Sequence, residues 1–82
     1  MRTRAITYYN RGIAKEKLQD HRGAIADYNK AIELDPSFAL GYCNRGAAKL
    51  VLGDKNGSCL DFSKAGELGL SEAYDAIREL CQ

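Results

Sequence analysis

YYNRGIAKEKLQDHRGAIADYNKAIEL, residues 8–34, returns one period of 34 residues later as YCNRGAAKLVLGDKNGSCLDFSKAGEL, residues 42–68. Tyr8 meets Tyr42, Asn10-Arg11-Gly12 meets Asn44-Arg45-Gly46, and Ala14-Lys15 meets Ala48-Lys49. Asp20, Gly23 and Asp27 return as Asp54, Gly57 and Asp61. Lys30-Ala31 and Glu33-Leu34 return as Lys64-Ala65 and Glu67-Leu68. About 16 of 34 aligned positions are identical. Self-similarity at such a period marks a stack of like units, each too small to bury its apolar face alone.

Each unit reads as two amphipathic helices. Ile6, Tyr9, Ile13 and Lys17 share one face of the first, and Ala24, Ile25, Tyr28, Ala31 and Ile32 recur at three- and four-residue spacing in the second. Asp20 is placed to cap the second helix, and Gly53-Asp54 makes the same turn in the second unit. Asp35-Pro36 ends the second helix, because a residue before proline avoids the helical region. Ser37 is a candidate cap for the third. Gly69 can take the left-handed conformation that terminates a helix, with Leu70 folding back. After Ser71, the residues Ala73, Ala76, Ile77, Leu80 and Cys81 form a last apolar stripe. Five helices follow, near 4–18, 22–34, 38–52, 56–68 and 72–81. Ala14, Ala24, Tyr28, Ala31, Ala48, Phe62 and Ala65 are the expected core. Gly66 is expected to admit the last helix closely.

These residues resemble the tetratricopeptide repeat, W-x2-L-G-x2-Y followed by A-x3-F and a proline. Its first aromatic falls on Tyr8 and Tyr42, and its glycine on Gly12 and Gly46. Its small residue and second aromatic fall on Ala24 and Tyr28, then on Ser58 and Phe62. Its proline is Pro36, with Leu70 in the second copy; Arg11, Lys15, Arg45 and Lys49 stand where the family often has Leu and Tyr. The resemblance implies an all-α, right-handed α-solenoid of antiparallel helix hairpins. One domain would span 1–82, with repeats at 5–38 and 39–72 and a capping helix at 73–82.

The resemblance also implies a concave groove lined by the first helix of each repeat, which binds a peptide or helix of a partner protein. Its lining would be Tyr9, Asn10, Ile13 and Lys17, then Cys43, Asn44, Ala47, Leu50 and Val51. Some members hold acidic chaperone tails in a clamp of Lys, Asn and Arg. Asn44 fits one clamp position, but Tyr9 and Ile13 replace the first-copy Lys and Asn, so a clamp is not expected. The pairs Arg11/Lys15 and Arg45/Lys49 each share a helix face. They are expected to form a ladder with Asp27 and Asp61 rather than an anion stripe.

Composition narrows the alternatives. Twelve basic against eleven acidic residues give a net charge of +1, unlike the basic excess of nucleic-acid binders. No apolar run is long enough to span a membrane. A basic start without an apolar stretch predicts no secretory signal and, with Met1 as a natural start, a cytoplasmic protein. Cys43, Cys59 and Cys81 match no metal or redox spacing, and their expected role is small apolar packing in a reducing compartment, with a disulfide or a functional thiol as the alternative. His21, at a turn, is expected to be solvated. No catalytic constellation and no cofactor are implied, so the expectation is a binding module and not an enzyme. The alternative is a structural fragment of a longer solenoid or a homodimerising module. Two repeats fall short of the usual three, and the side of the first helix near Ala5, Tyr8 and Tyr9 is expected to lack a neighbour.

Overall fold

A computed structural model of the chain describes residues 2–82, with side chains from Thr3 onward. Five helices succeed one another: α1 (Arg2–Lys17), α2 (His21–Leu34), α3 (Ala39–Val51), α4 (Lys55–Glu67) and α5 (Glu72–Leu80). No strand occurs among the described residues. Each helix packs on the next in chain order, so the molecule is two helix hairpins and a closing helix.

The turns follow the duplicated sequence. The Asp20 carboxylate accepts from the Gly23 amide at 2.9 Å, and Asp54 accepts from Gly57 at 2.9 Å. The residue before each cap is left-handed, Gln19 at φ +64° and Gly53 at φ +89°. Gly69 ends α4 at φ +107°, and the Leu70 amide folds back to the Ala65 carbonyl at 3.0 Å. Leu34 is the last residue of α2, two before Pro36. Ser37 does not cap α3: Phe38 holds that place without a side-chain bond. The Ser37 amide and hydroxyl instead donate to Asp35, at 3.2 and 2.9 Å. Asp35 precedes Pro36 and is non-helical, so its carboxylate lies nearer to Ser37 than the α3 amides do.

The core forms where small residues let the helices close. A Cβ added at Gly12 would lie 2.6 Å from the Tyr28 ring, and one at Gly46 would lie 3.0 Å from the Ser58 carbonyl and 3.3 Å from Phe62. Ala24, Tyr28, Ala31, Ala48 and Ala65 are fully buried and Phe62 nearly so. Ala14 is the exception and is exposed. Its counterpart Ala48 lies in a helix flanked by α2 and α4, whereas α1 packs chiefly on α2. Ala5 is buried and the Tyr9 ring packs against Phe38 and Tyr28, so the open side of α1 is at the exposed Arg4, Thr7 and Ala14 and the half-buried Tyr8, rather than at Ala5 and Tyr9.

At the other end α5 buries Ala73 and sets the Tyr74 ring over Gly66, where an added Cβ would lie 2.8 Å from Tyr74. Ala76 and Ile77 are half-buried. Leu80, expected in the seat, is exposed, because Tyr74 and Cys81 turn another face of α5 toward α4. The cysteines also depart from expectation. Cys59 of α4 and Cys81 just after α5 form a disulfide, with Cα atoms 5.7 Å apart, and Cys43 is a free thiol. The reversal at Gly69 brings together two residues that their spacing in sequence does not link.

Two buried hydroxyls, Tyr28 Oη and Ser58 Oγ, meet no hydrogen-bond partner among the described residues. Each copy carries the apolar solution to the other's defect, Phe62 for Tyr28 and Ala24 for Ser58. Tyr28→Phe and Ser58→Ala should therefore each leave stability unchanged or raise it by about 1 kcal/mol, since a buried unpaired hydroxyl is costly. Tyr28→Ala should cost about 3–5 kcal/mol through the cavity it leaves. Urea denaturation of the three variants checks the register. Reduction of Cys59–Cys81, which closes a segment 22 residues in separation, should cost up to about 3 kcal/mol. The check is a lower thermal midpoint in dithiothreitol, reproduced by Cys59→Ser.

Candidate functional site

The first helix of each unit, α1, α3 and α5, repeats one exposed apolar position. Ile6, Leu40 and Tyr74 are spaced by the repeat period, and they are 42%, 44% and 47% exposed. One repeat position thus leaves a large hydrophobic residue partly in water in all three helices, although in α5 the Tyr74 ring also packs over Gly66. None of the three was among the expected lining residues. The signal was in the sequence as the 34-residue spacing of Ile6 and Leu40, carried one period further into α5.

Beside this row stand the residues expected to line a groove. Tyr9, Ile13, Cys43, Asn44 and Leu50 are half-buried; Asn10, Lys17, Ala47 and Val51 are exposed. A direct bond joins two of them across the units. The Tyr9 hydroxyl accepts from the Asn44 side-chain amide at 2.8 Å. The Tyr9 ring lies 5.0 Å from Phe38 and 5.9 Å from Tyr28, between centroids, so packing on two sides fixes it. Burial pushes the Tyr9 phenol above its usual pKa, against the opposing bond from Asn44. Burial likewise raises the Cys43 thiol, and the Glu72 carboxylate adds to the rise.

The basic pairs serve the interior. The Arg11 guanidinium donates to both Asp27 oxygens at 2.9 and 2.7 Å, and Lys15 approaches the same carboxylate at 3.2 Å. One period on, Arg45 donates to both Asp61 oxygens at 2.8 and 2.7 Å, with Lys49 at 3.2 Å. Asp27 and Asp61 are buried. Arg11 and Arg45 also lie over the rings of Tyr8 and Tyr42, at 5.3 and 5.4 Å. Arg45 alone makes a further bond, to Asn29 Oδ1 at 2.9 Å, which ties the second unit to the first. These cations form the expected ladder.

His21 opens α2 half-buried, with Nδ1 3.0 Å from Glu16 Oε1 and Nε2 3.3 Å from Gln19 Oε1, and so is held rather than freely solvated. Among the described residues no group of three His, Cys, Asp or Glu side chains could hold a metal ion. No helix among them is long and apolar enough to cross a membrane.

Comparison with family models matches residues 5–38 to the tetratricopeptide repeat. Comparison with curated proteins gives no match for the chain.

The Arg11 bonds hold the Asp27 carboxyl below its usual range, against burial, and Lys15 assists. A depressed folded value stabilises the fold above the unfolded value, about 4, and that contribution fades as pH falls through the folded value. The urea midpoint should be level from pH 7 to about 5 and fall below about 4. Asp27→Asn should cost about 1–3 kcal/mol at pH 7, as loss of charge-assisted bonds does, and should make the acid-side fall shallower. Midpoints measured across that range for both proteins check the sign.

Proposed function

We propose that this chain is an adaptor or scaffold module, because residues 5–38 match the tetratricopeptide repeat and the five-helix stack fits that family. It holds a peptide or helix of a partner protein along α1, α3 and α5. Repeats of this family generally mediate protein–protein interaction, and the proposal adds the surface. One observation carries it: Ile6, Leu40 and Tyr74 recur exposed at one position of the three first helices. The Tyr9–Asn44 bond beside them braces α1 against α3. An apolar row of this kind gains by burial against apolar side chains of a ligand. The polar edge at Asn10 and Asn44 can hydrogen-bond a peptide backbone. Tyr9 and Ile13 supply no cation for a terminal carboxylate, so an internal or helical segment with apolar anchors is the favoured ligand.

The test is selection from a random peptide library displayed on phage, followed by fluorescence titration of selected peptides. Leu40→Glu and Val51→Glu should weaken binding at least ~10-fold, since a charge is then desolvated against an apolar anchor. Leu60→Glu, at an exposed position of α4, should leave it unchanged. Binding insensitive to Leu40 and Val51 would remove the groove from the reading.

A further inference from the structure

The two ends of the stack carry opposite charge at the same repeat positions. On the open side of α1, Arg4, Thr7, Tyr8 and Arg11 line a shallow concavity of about 240 Å³. Two repeat periods later these positions are Glu72, Asp75, Ala76 and Glu79 of α5. Glu72, Asp75 and Glu79 are exposed, as are Arg4, Thr7 and Arg11. Arg78 pairs with Asp75 and leaves Glu72 and Glu79 in excess, while Arg11 and Lys15 share Asp27 and leave one positive charge in excess beside Arg4. By sequence the first fifteen residues hold Arg2, Arg4, Arg11 and Lys15 and no acid, whereas Glu67 to Gln82 holds four acids and one base. The near-zero net charge hides this polarity.

The middle copy shows what these positions do when they are covered. There they are Phe38, at the cap of α3, and Gly41, Tyr42 and Arg45 within it. An added Cβ at Gly41 would lie 3.3 Å from Ile32 of α2, and the outer Arg45 nitrogen donates to Asn29 of α2. The corresponding positions of α1 differ from this helix-covered face at two places. Arg4 replaces Phe38 and Thr7 replaces Gly41, so an apolar helix like α2 no longer fits. The arginines favour carboxylates instead, and α5 carries them in the same i, i+3, i+4, i+7 register, with the small Ala76 at the third position. Arg4 and Arg11 are seven residues apart, as are Glu72 and Glu79, about 10 Å along each axis. The small Ala76 lies between the acids, where the Tyr8 ring lies between the arginines.

We propose that the chain associates head to tail: the acidic face of α5 of one copy seats on the Arg4–Tyr8–Arg11 face of α1 of the next. The contact joins unlike surfaces, so it adds copies in one direction and is not a twofold dimer. It uses none of the Ile6–Leu40–Tyr74 row, so its failure and that of the peptide groove are separable. As the attraction is between exposed charges, it is weak and salt-sensitive.

Sedimentation of the full chain at about 0.5 mM, a concentration that reveals weak dissociation constants, tests it. The mass should exceed the 9.0 kDa monomer at about 20 mM salt and return toward it at about 500 mM, where screening is short-ranged. Arg4→Glu/Thr7→Glu makes both ends acidic, and Glu72→Lys/Glu79→Lys makes both ends basic. Each variant alone should be monomeric, and an equimolar mixture should assemble again, because each α1 then meets an α5 of opposite sign. A monomeric parent at low salt would overturn the proposal. So would variants that self-associate as the parent does, the mark of a twofold or groove-mediated contact, or a mixture that stays monomeric. Circular dichroism controls for folding; should a double variant lose helicity, Arg4→Glu and Glu79→Lys alone are mixed under the same criteria.

Discussion

A Cβ at Gly12 would clash with the Tyr28 ring and one at Gly46 would press on the Ser58 carbonyl and Phe62, and the rest of each hairpin is arranged around that closeness. With α1 drawn against α2, the Tyr28 ring lies where a Cβ at residue 12 would be. Arg11 and Lys15, beside and one turn beyond the glycine, come within reach of Asp27. A buried carboxylate is strongly unfavourable unless cations and hydrogen bonds surround it. The interhelical register that fills the core is therefore also the register that neutralises Asp27. Sliding α2 by one turn would void the aromatic contact and strand the charge together. The second hairpin repeats the device with Gly46, Phe62 and the Arg45–Asp61–Lys49 cluster.

Where the two copies differ, the differences are local answers to different neighbours. Between α2 and α3 the glycine is on the later helix, and Gly41 makes room for Ile32. Between α4 and α5 it is on the earlier helix: Gly66 occupies the position of Ile32 and makes room for Tyr74. Exchanging the large and the small partner rotates the closing helix to a different face. Ala73 is then buried while Leu80 is exposed. The turns differ in the same spirit. Gln19 holds a left-handed backbone that glycine adopts at Gly53 without Cβ strain.

Most of this was legible because the chain states it twice. The period placed the five helices within about two residues, put Asp20 and Asp54 at their caps, and paired Arg11/Lys15 with Asp27. Two kinds of feature escaped. Ala14 was assigned by analogy with Ala48, yet burial depends on neighbours on both sides, and α1 packs chiefly on α2 whereas α3 lies between α2 and α4. Cys59 and Cys81 fit no local motif, since what joins them is the reversal at Gly69 and not their spacing. The candidate site was half legible. Tyr9 and Asn44 follow from the resemblance, but the row Ile6, Leu40 and Tyr74 needed the third, incomplete unit to be aligned with the other two. Ser37 shows the limit of cap rules read in isolation, because the carboxylate of Asp35 competes for it.

The bond between Cys59 and Cys81 has a topological effect apart from any stabilisation. It closes a covalent ring that contains most of α4, the Gly69–Ser71 turn and all of α5. That turn includes exposed residues and a glycine, the kind of site where proteases cut. A single cut inside the ring severs the backbone without releasing a fragment. The closing helix would stay tethered over Gly66, and the two pieces would separate only once a reductant opened the ring.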